Sequence, residues 1–235
     1  MKLTDILSGP TPPTASVKPV HFKDTGIDDK WAVVIEDLLT PTECEDLRSL
    51  VEPLDGEPWP AATLTAYSGL AVHQQETRRC GRIIFSSPVV AEALLARIMP
   101  FLPENITTLW NAMDITGAIL AVRKERWQIA NLSEDLRFLK YEAGDYFKPH
   151  CDAVTSIGGK RSFLTVHLYL NHEGLEGGAT SFMLDYKDPE NNYVKVDPKA
   201  GSVLVFQQRD LYHEGSLVTK GTKYTVRTDV LYEKV

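Results

Sequence analysis

His150 and Asp152 stand two positions apart in the stretch KPHCDA, residues 148–153. If that stretch is extended, the two side chains share a face and Cys151 points away. An imidazole and a carboxylate so placed could take adjacent positions on a metal ion. A His-x-Asp triplet also arises by chance, so the reading depends on what completes the site. The chain holds His21, His73, His150, His167, His172 and His213. His213 is the best third ligand, because it follows the buried-strand pattern GSVLVF and lies near the start of LYHEGSLV. His167 falls inside an apolar strand pattern and reads as a hydrogen-bonded wall residue. His172 follows Asn171 at the end of that pattern and reads as solvated.

Two histidines and one carboxylate with open cis positions make the facial triad of non-haem Fe(II) oxygenases, although a zinc hydrolase can use the same donors. A second feature lies in KYTVRTDVLY, residues 223–232. In an extended run Lys223, Thr225, Arg227 and Asp229 share one face, and Tyr224, Val226, Thr228 and Val230 the other. The charged face is either solvated or turned into a barrel, where an anionic ligand would account for a buried cation.

The elements that must position these residues change character along the chain. Residues 8–20, SGPTPPTASVKPV, read as part of an extended leader over 1–30. WAVVIEDLL from Trp31 reads as a strand. A helix follows with Thr40 as cap, Pro41 at its first position and Glu43 completing a capping box, and Pro53 ends it. Ser87 and Pro88 start a second helix in the same way. From about residue 136 short β-type runs dominate: LRFLKY, SFLTVHLYLN, ATSFML, YVKVD, GSVLVF and KYTVRTDVLY. The fold class expected is α+β, a sandwich or barrel supported by N-terminal helices. Residues 31–235 read as one domain, with helical support over about 31–135 and the β core over about 136–235.

Composition excludes several function classes. With 25 basic against 32 acidic residues, the net charge of −7 argues against a nucleic-acid partner held by phosphate neutralisation. No apolar run approaches the length of a membrane span, and MKLTDILSGP is too short an apolar stretch for a secretion signal. Cys44, Cys80 and Cys151 are far apart and form no CxxC. That usage fits a reducing, cytoplasmic setting.

His150, Asp152, His213 and the Gly221-x-Lys223 pair resemble the prolyl 4-hydroxylase-like branch of the Fe(II)/2-oxoglutarate dioxygenases. YEAGDYFKPHCD, LYLN followed by GGATSF, and PKAGSVLVF occur between 136 and 232 in that family's order. The resemblance implies a double-stranded β-helix, or jelly roll. It implies Fe(II) on His150, Asp152 and His213, with 2-oxoglutarate and O2 as co-substrates and ascorbate as a candidate reductant. Lys223 would pair with the distal carboxylate of 2-oxoglutarate, with Arg227 as a competitor or second cation. Tyr141 and Tyr169 resemble tyrosines that line the co-substrate pocket, and could equally be packed aromatics. The reaction implied is hydroxylation of an aliphatic C–H with release of succinate and CO2. Halogenases of the family carry a small residue where Asp152 stands, so Asp152 favours hydroxylation.

Two departures bear on the substrate. Phe147 stands where peptidyl-proline hydroxylases commonly carry tyrosine, and Arg161 lies one residue further from Tyr169 than the family spacing. Both favour a small molecule, such as an amino acid, over a prolyl residue of a polypeptide. QQETRRCGR places Arg78, Arg79 and Arg82 in a loop-like stretch before IIF. They are either a solvated basic loop or a lid that recognises a substrate carboxylate. A non-catalytic module that binds metal and 2-oxoglutarate is the reading from another class.

Overall fold

Thr40 starts the first helix, α1 (Pro41–Ser49), through both halves of the capping box. Its Oγ1 accepts from Glu43 N at 3.2 Å, and Glu43 Oε2 accepts from Thr40 N at 2.8 Å. Pro41 costs nothing at a first position whose N–H has no helical acceptor. Ser87 caps α2 (Pro88–Ile98) by accepting from Val90 N at 3.3 Å. The computed structural model describes residues 2–23, 25–52, 58–65, 71–72, 74–185 and 193–235. Pro53 and His73 lie outside the described residues.

Thirteen strands matter to the site. They are β1 (Ser16–Pro19), β2 (Ala32–Glu36), β3 (Arg78–Arg79), β4 (Gly81–Ser86), β5 (Arg126–Leu132), β6 (Asp135–Tyr141) and β7 (Tyr146–His150). After them come β8 (Lys160–Tyr169), β9 (Thr180–Met183), β10 (Val194–Val196), β11 (Val203–Gln207), β12 (Tyr212–Gly215) and β13 (Lys223–Lys234). The larger sheet runs β1-β2-β11-β8-β13. There β13 divides its edge: Lys223–Arg227 pair with β6, and Val230–Lys234 with β5. β6 carries β4 on its far side. The smaller sheet runs β10-β9-β12-β7-β3, and its pairings are antiparallel too.

Period-two alternation sorts the larger sheet's two faces. Leu164, Val166 and Leu168 of β8, with Val226 and Val230 of β13, pack in one core with Leu47 of α1 and Leu94 and Ile98 of α2. On the other face, Tyr169, Leu204 and Phe206 pack with Phe182 and Val196 of the smaller sheet. Helices therefore cover one face of the larger sheet and the smaller sheet covers the other, which is the jelly roll expected, with few helices.

Two details differ from the sequence reading. Order begins before Trp31: β1 pairs with β2, and Ile6 and Leu7 are buried in the helix-side core. Burying each of those side chains stabilises by roughly 1.5–3 kcal/mol, which offsets ordering the Pro-rich stretch. The segment before residue 136 is also less helical than expected, because β2, β4 and β5 complete the larger sheet. Among the described residues, no helix is long and apolar enough to cross a membrane.

Candidate active site

His150 and His213 meet because β7 and β12 are neighbours and place the two residues opposite each other. A bulge between Phe147 and His150 shifts the register just before the pair. The strand ends at His150, so Asp152 arrives from the following loop and not from an extended run. That loop is pinned at Thr155, whose N donates to Ser162 Oγ at 2.8 Å and whose Oγ1 donates to Asp229 Oδ2 at 3.1 Å. One ligand atom from each of His150, Asp152 and His213 lies within 4.8 Å of the others, and the three could hold a metal ion.

The hydrogen bonds fix which imidazole nitrogen is free. His150 Nδ1 lies 2.9 Å from Lys148 O, and His213 Nδ1 lies 3.1 Å from Leu211 O. A carbonyl only accepts, so in each neutral ring Nδ1 carries the hydrogen and Nε2 keeps its lone pair. Asp152 Oδ1 lies 3.5 Å from His150 Nε2 and 3.6 Å from His213 Nε2. Its Oδ2 accepts from Thr165 Oγ1 at 2.6 Å. Arg227 Nη2 approaches Oδ1 to 2.9 Å, but without the alignment of a hydrogen bond. Burial alone would raise the Asp152 pKa; Arg227, then His213 and His150, hold it well below the usual carboxylate range. Burial lowers His213 to about 4, so it is neutral at pH 7. Two lone pairs and one under-bonded carboxylate oxygen thus converge, and a divalent cation satisfies all three.

The larger sheet supplies the opposite wall. Thr165, His167 and Tyr169 alternate along β8, and Lys223, Thr225, Arg227 and Asp229 along β13. Lys223 is 2% exposed; its Nζ donates to Gly178 O at 2.5 Å and lies 5.4 and 5.6 Å from the ring centres of Tyr141 and Tyr169. Gly178 has φ +71°, and a Cβ there would come within 3.2 Å of Lys223 Cδ. Burial lowers the Lys223 pKa to about 7, against a small opposing effect of Cys80. Tyr169 Oη bonds Thr180 Oγ1 at 2.8 Å. His167 is a wall residue as expected, but its Nε2 has no hydrogen-bond partner among the described residues. Burial, then the charges of Lys223 and Arg227, push its pKa well down.

Beside the triad lies a cleft of about 480 Å³. Arg78, Arg82, Arg137 and Arg227 line it, with Phe147, His150, Asp152 and Asp229. Phe147 stacks on His150 with ring centres 3.7 Å apart. Arg78 and Arg79 form a strand and Arg82 lies in the next one, where a loop had been expected. Period two sends Arg78 into the cleft and leaves Arg79 outside, 3.6 Å from Asp145. Arg161 is also outside the cleft: it opens β8 opposite Ser156 and Tyr232, its guanidinium 5.9 Å from the Phe163 ring centre. His172 is exposed and accepts from Ala200 N at 3.1 Å.

Sequence reasoning passed over Arg137 and Thr165. Arg137 Nη1 lies 3.1 Å from Asp229 Oδ2. Counting back by twos from Tyr141 gives Leu139 and Arg137, and from Tyr169 gives His167 and Thr165, so alternation was the signal available for both.

Residues 136–228 match the sequence profile of the 2OG-Fe(II) oxygenase superfamily. No curated protein matches the chain. Among solved structures, a Pseudomonas putida prolyl-4-hydroxylase is similar at 18% identity and a TM-score of 0.50, over 97% of this chain and 98% of that one. A viral collagen prolyl hydroxylase from Paramecium bursaria Chlorella virus-1 is 17% identical, with a TM-score of 0.47 over 86% and 96% of the two chains. At its identity the Pseudomonas likeness speaks for the fold. The profile match spans His150, Asp152, His213 and Lys223; over residues 136–228 the chain is similar to the 2OG-Fe(II) oxygenase superfamily, and it is an oxygenase of the kind that works with Fe(II), 2-oxoglutarate and O2.

Proposed function

We propose that His150, Asp152 and His213 hold the Fe(II), that Lys223 takes the distal carboxylate of 2-oxoglutarate, and that the enzyme hydroxylates an aliphatic C–H of a small molecule such as an amino acid, releasing succinate and CO2. The observation that carries this reading is Lys223. Its ammonium is buried on the wall facing the triad and has no carboxylate partner among the described residues. A buried cation in that position is costly without an anion. Bound iron supplies the oxidising chemistry with O2 and 2-oxoglutarate; the chain's own residues bind, orient and shield. Arg227 keeps Asp152 anionic, the two Nδ1–H···O=C bonds aim the imidazoles, and Phe147 covers one face of His150. Tyr141 and Tyr169 flank Lys223 and give the co-substrate carbon chain an apolar channel. A cleft of about 480 Å³ suits a small molecule better than a polypeptide strand. The three free cysteines accord with a cytoplasmic setting.

Anaerobic addition of Fe(II) and then 2-oxoglutarate tests the reading without a substrate. A weak visible charge-transfer band is expected in the wild type and is expected to vanish in His150→Ala and Asp152→Ala. Iron-loaded wild type that shows no band would shift the weight to a hydrolase.

A further inference from the structure

Arg78 and Arg82 have no part in holding iron or the co-substrate in the scheme above. Arg78 is 7% exposed, yet no carboxylate partners it among the described residues. Its Nε donates to Cys80 Sγ at 3.2 Å, and its guanidinium carbon lies 4.5 Å from the Phe147 ring centre. Arg82 Nη2 donates to Thr63 Oγ1 at 2.8 Å and likewise has no carboxylate. Burial, then the charge of Arg78 and the weaker effects of Arg137 and Arg227, lower the Arg82 pKa, the mark of a crowded positive field. Among the described residues, four arginines in this cleft face two carboxylates, Asp152 and Asp229, and both carboxylates are already engaged: Asp152 by Thr165 and Arg227, Asp229 by Arg137, Thr155 and Gln208. The chain as a whole carries −7, so this positive cleft runs against the general charge. A positive cleft with low-dielectric walls concentrates small anions, and guanidinium forks match planar oxyanions.

Resting on the proposed function, we propose that the substrate is an organic acid whose oxyanion end, carboxylate or phosphate, is held by Arg78 and Arg82 while its carbon skeleton passes Phe147 toward His150 and Asp152. The anion seat and the reacting carbon then lie along one cleft, and the acid end sets which C–H faces the triad. Lys223 lies in the inner cavity, which Arg78 also lines and Arg82 does not, so Arg78 stands where the two spaces meet and Arg82 marks the substrate's seat as distinct from the co-substrate's.

Mn(II)-loaded protein with saturating 2-oxoglutarate provides the test, read as paramagnetic relaxation of ligand protons. The probes are propionate and butyrate against propionamide and butyramide, with methyl phosphate to tell phosphate from carboxylate. Relaxed acid or phosphate protons beside unaffected amides are expected. Arg82→Gln should weaken acid binding about tenfold, the scale of one charge-assisted hydrogen bond. Arg78→Lys, which keeps the charge and loses the fork, should weaken it as well, and Arg79→Gln should not. Acids and amides relaxing alike, or acids binding Arg82→Gln as they bind wild type, would overturn the inference even where 2-oxoglutarate protons are relaxed normally. Unrelaxed 2-oxoglutarate would remove the reading beneath it and the inference with it.

Discussion

Arg227 Nη2 lies 2.9 Å from Asp152 Oδ1 and 3.7 Å from Asp229 Oδ1, whereas Lys223, four residues earlier on the same strand face, finds only the Gly178 carbonyl oxygen among the described residues. One cation is committed to carboxylates of the chain and the other is free for a carboxylate from outside. Lys223→Ala should therefore raise the dissociation constant of 2-oxoglutarate roughly 10–100-fold, as expected for loss of a charge-assisted bond. Arg227→Ala should leave that constant within a few-fold and weaken iron retention instead, because Asp152 loses its strongest anionic support. Anaerobic titration of the charge-transfer band measures the first quantity, and iron content after desalting the second. A larger loss of 2-oxoglutarate affinity in Arg227→Ala would reverse the assignment.

The same lysine makes co-substrate binding depend on pH. Burial lowers its pKa from 10.5 to about 7 in the free protein, so above that pH it is mostly neutral. A carboxylate beside Nζ favours the charged form and raises the pKa in the complex. Binding above pH 7 must then take up a proton, and affinity falls with rising pH by up to about tenfold per unit. The stability linkage has the opposite sense. Between about 7 and 10.5 the unfolded chain holds the proton that the folded chain has lost, so Lys223 makes stability rise with pH across that window. Titrations from about pH 6 to about pH 9 should show the affinity loss in wild type and a flat line in Lys223→Ala. A wild-type profile as flat as the variant's would mean the ammonium is not desolvated as its burial implies.

Much of this site was legible because it obeys short-range rules. The two helix starts rest on Thr40-Pro41-x-Glu43 and Ser87-Pro88, local hydrogen-bond chemistry that tertiary packing had no cause to override. The charged face of β13 followed from period two, and the structure turns it inward. What stayed hidden depends on long-range pairing. Arg78 and Arg82 read as loop residues because neither strand has an apolar alternation; both are held by neighbours far along the chain, Phe147 opposite Arg78 and Leu139 opposite Arg82. The placement of Asp152 was read as strand geometry but comes from a loop tied to Asp229 through Thr155, a contact between residues 74 positions apart. Arg161 resembles a family arginine by its place before the next strand, one residue off the family spacing, and it sits near the far end of β8, outside the cleft.

Arg97 and Glu43 join the helical layer, and their pair gives a stability prediction independent of the site. Arg97 Nη2 lies 2.5 Å from Glu43 Oε1 and Nη1 3.0 Å from Oε2, with side chains 5% and 15% exposed. The same guanidinium donates to Gly9 O at 2.8 Å, so one side chain ties α2 to the start of α1 and to the leader. Removing one partner of a buried pair costs about 3–5 kcal/mol, because the other charge is stranded; the residual exposure of Glu43 places Arg97→Ala near about 3 kcal/mol. Burial would raise the Glu43 pKa, but the Arg97 and Thr40 bonds outweigh it and the net shift is downward from 4.5. A lowered carboxylate pKa contributes stability that is present above the unfolded value and is lost as pH falls through the folded one. Urea unfolding should show wild type losing stability below about pH 4.5 more steeply than Glu43→Gln, with Arg97→Ala already weakened at neutral pH. Equal acid slopes in wild type and Glu43→Gln would show that Arg97 stabilises α2 through Gly9 and packing alone.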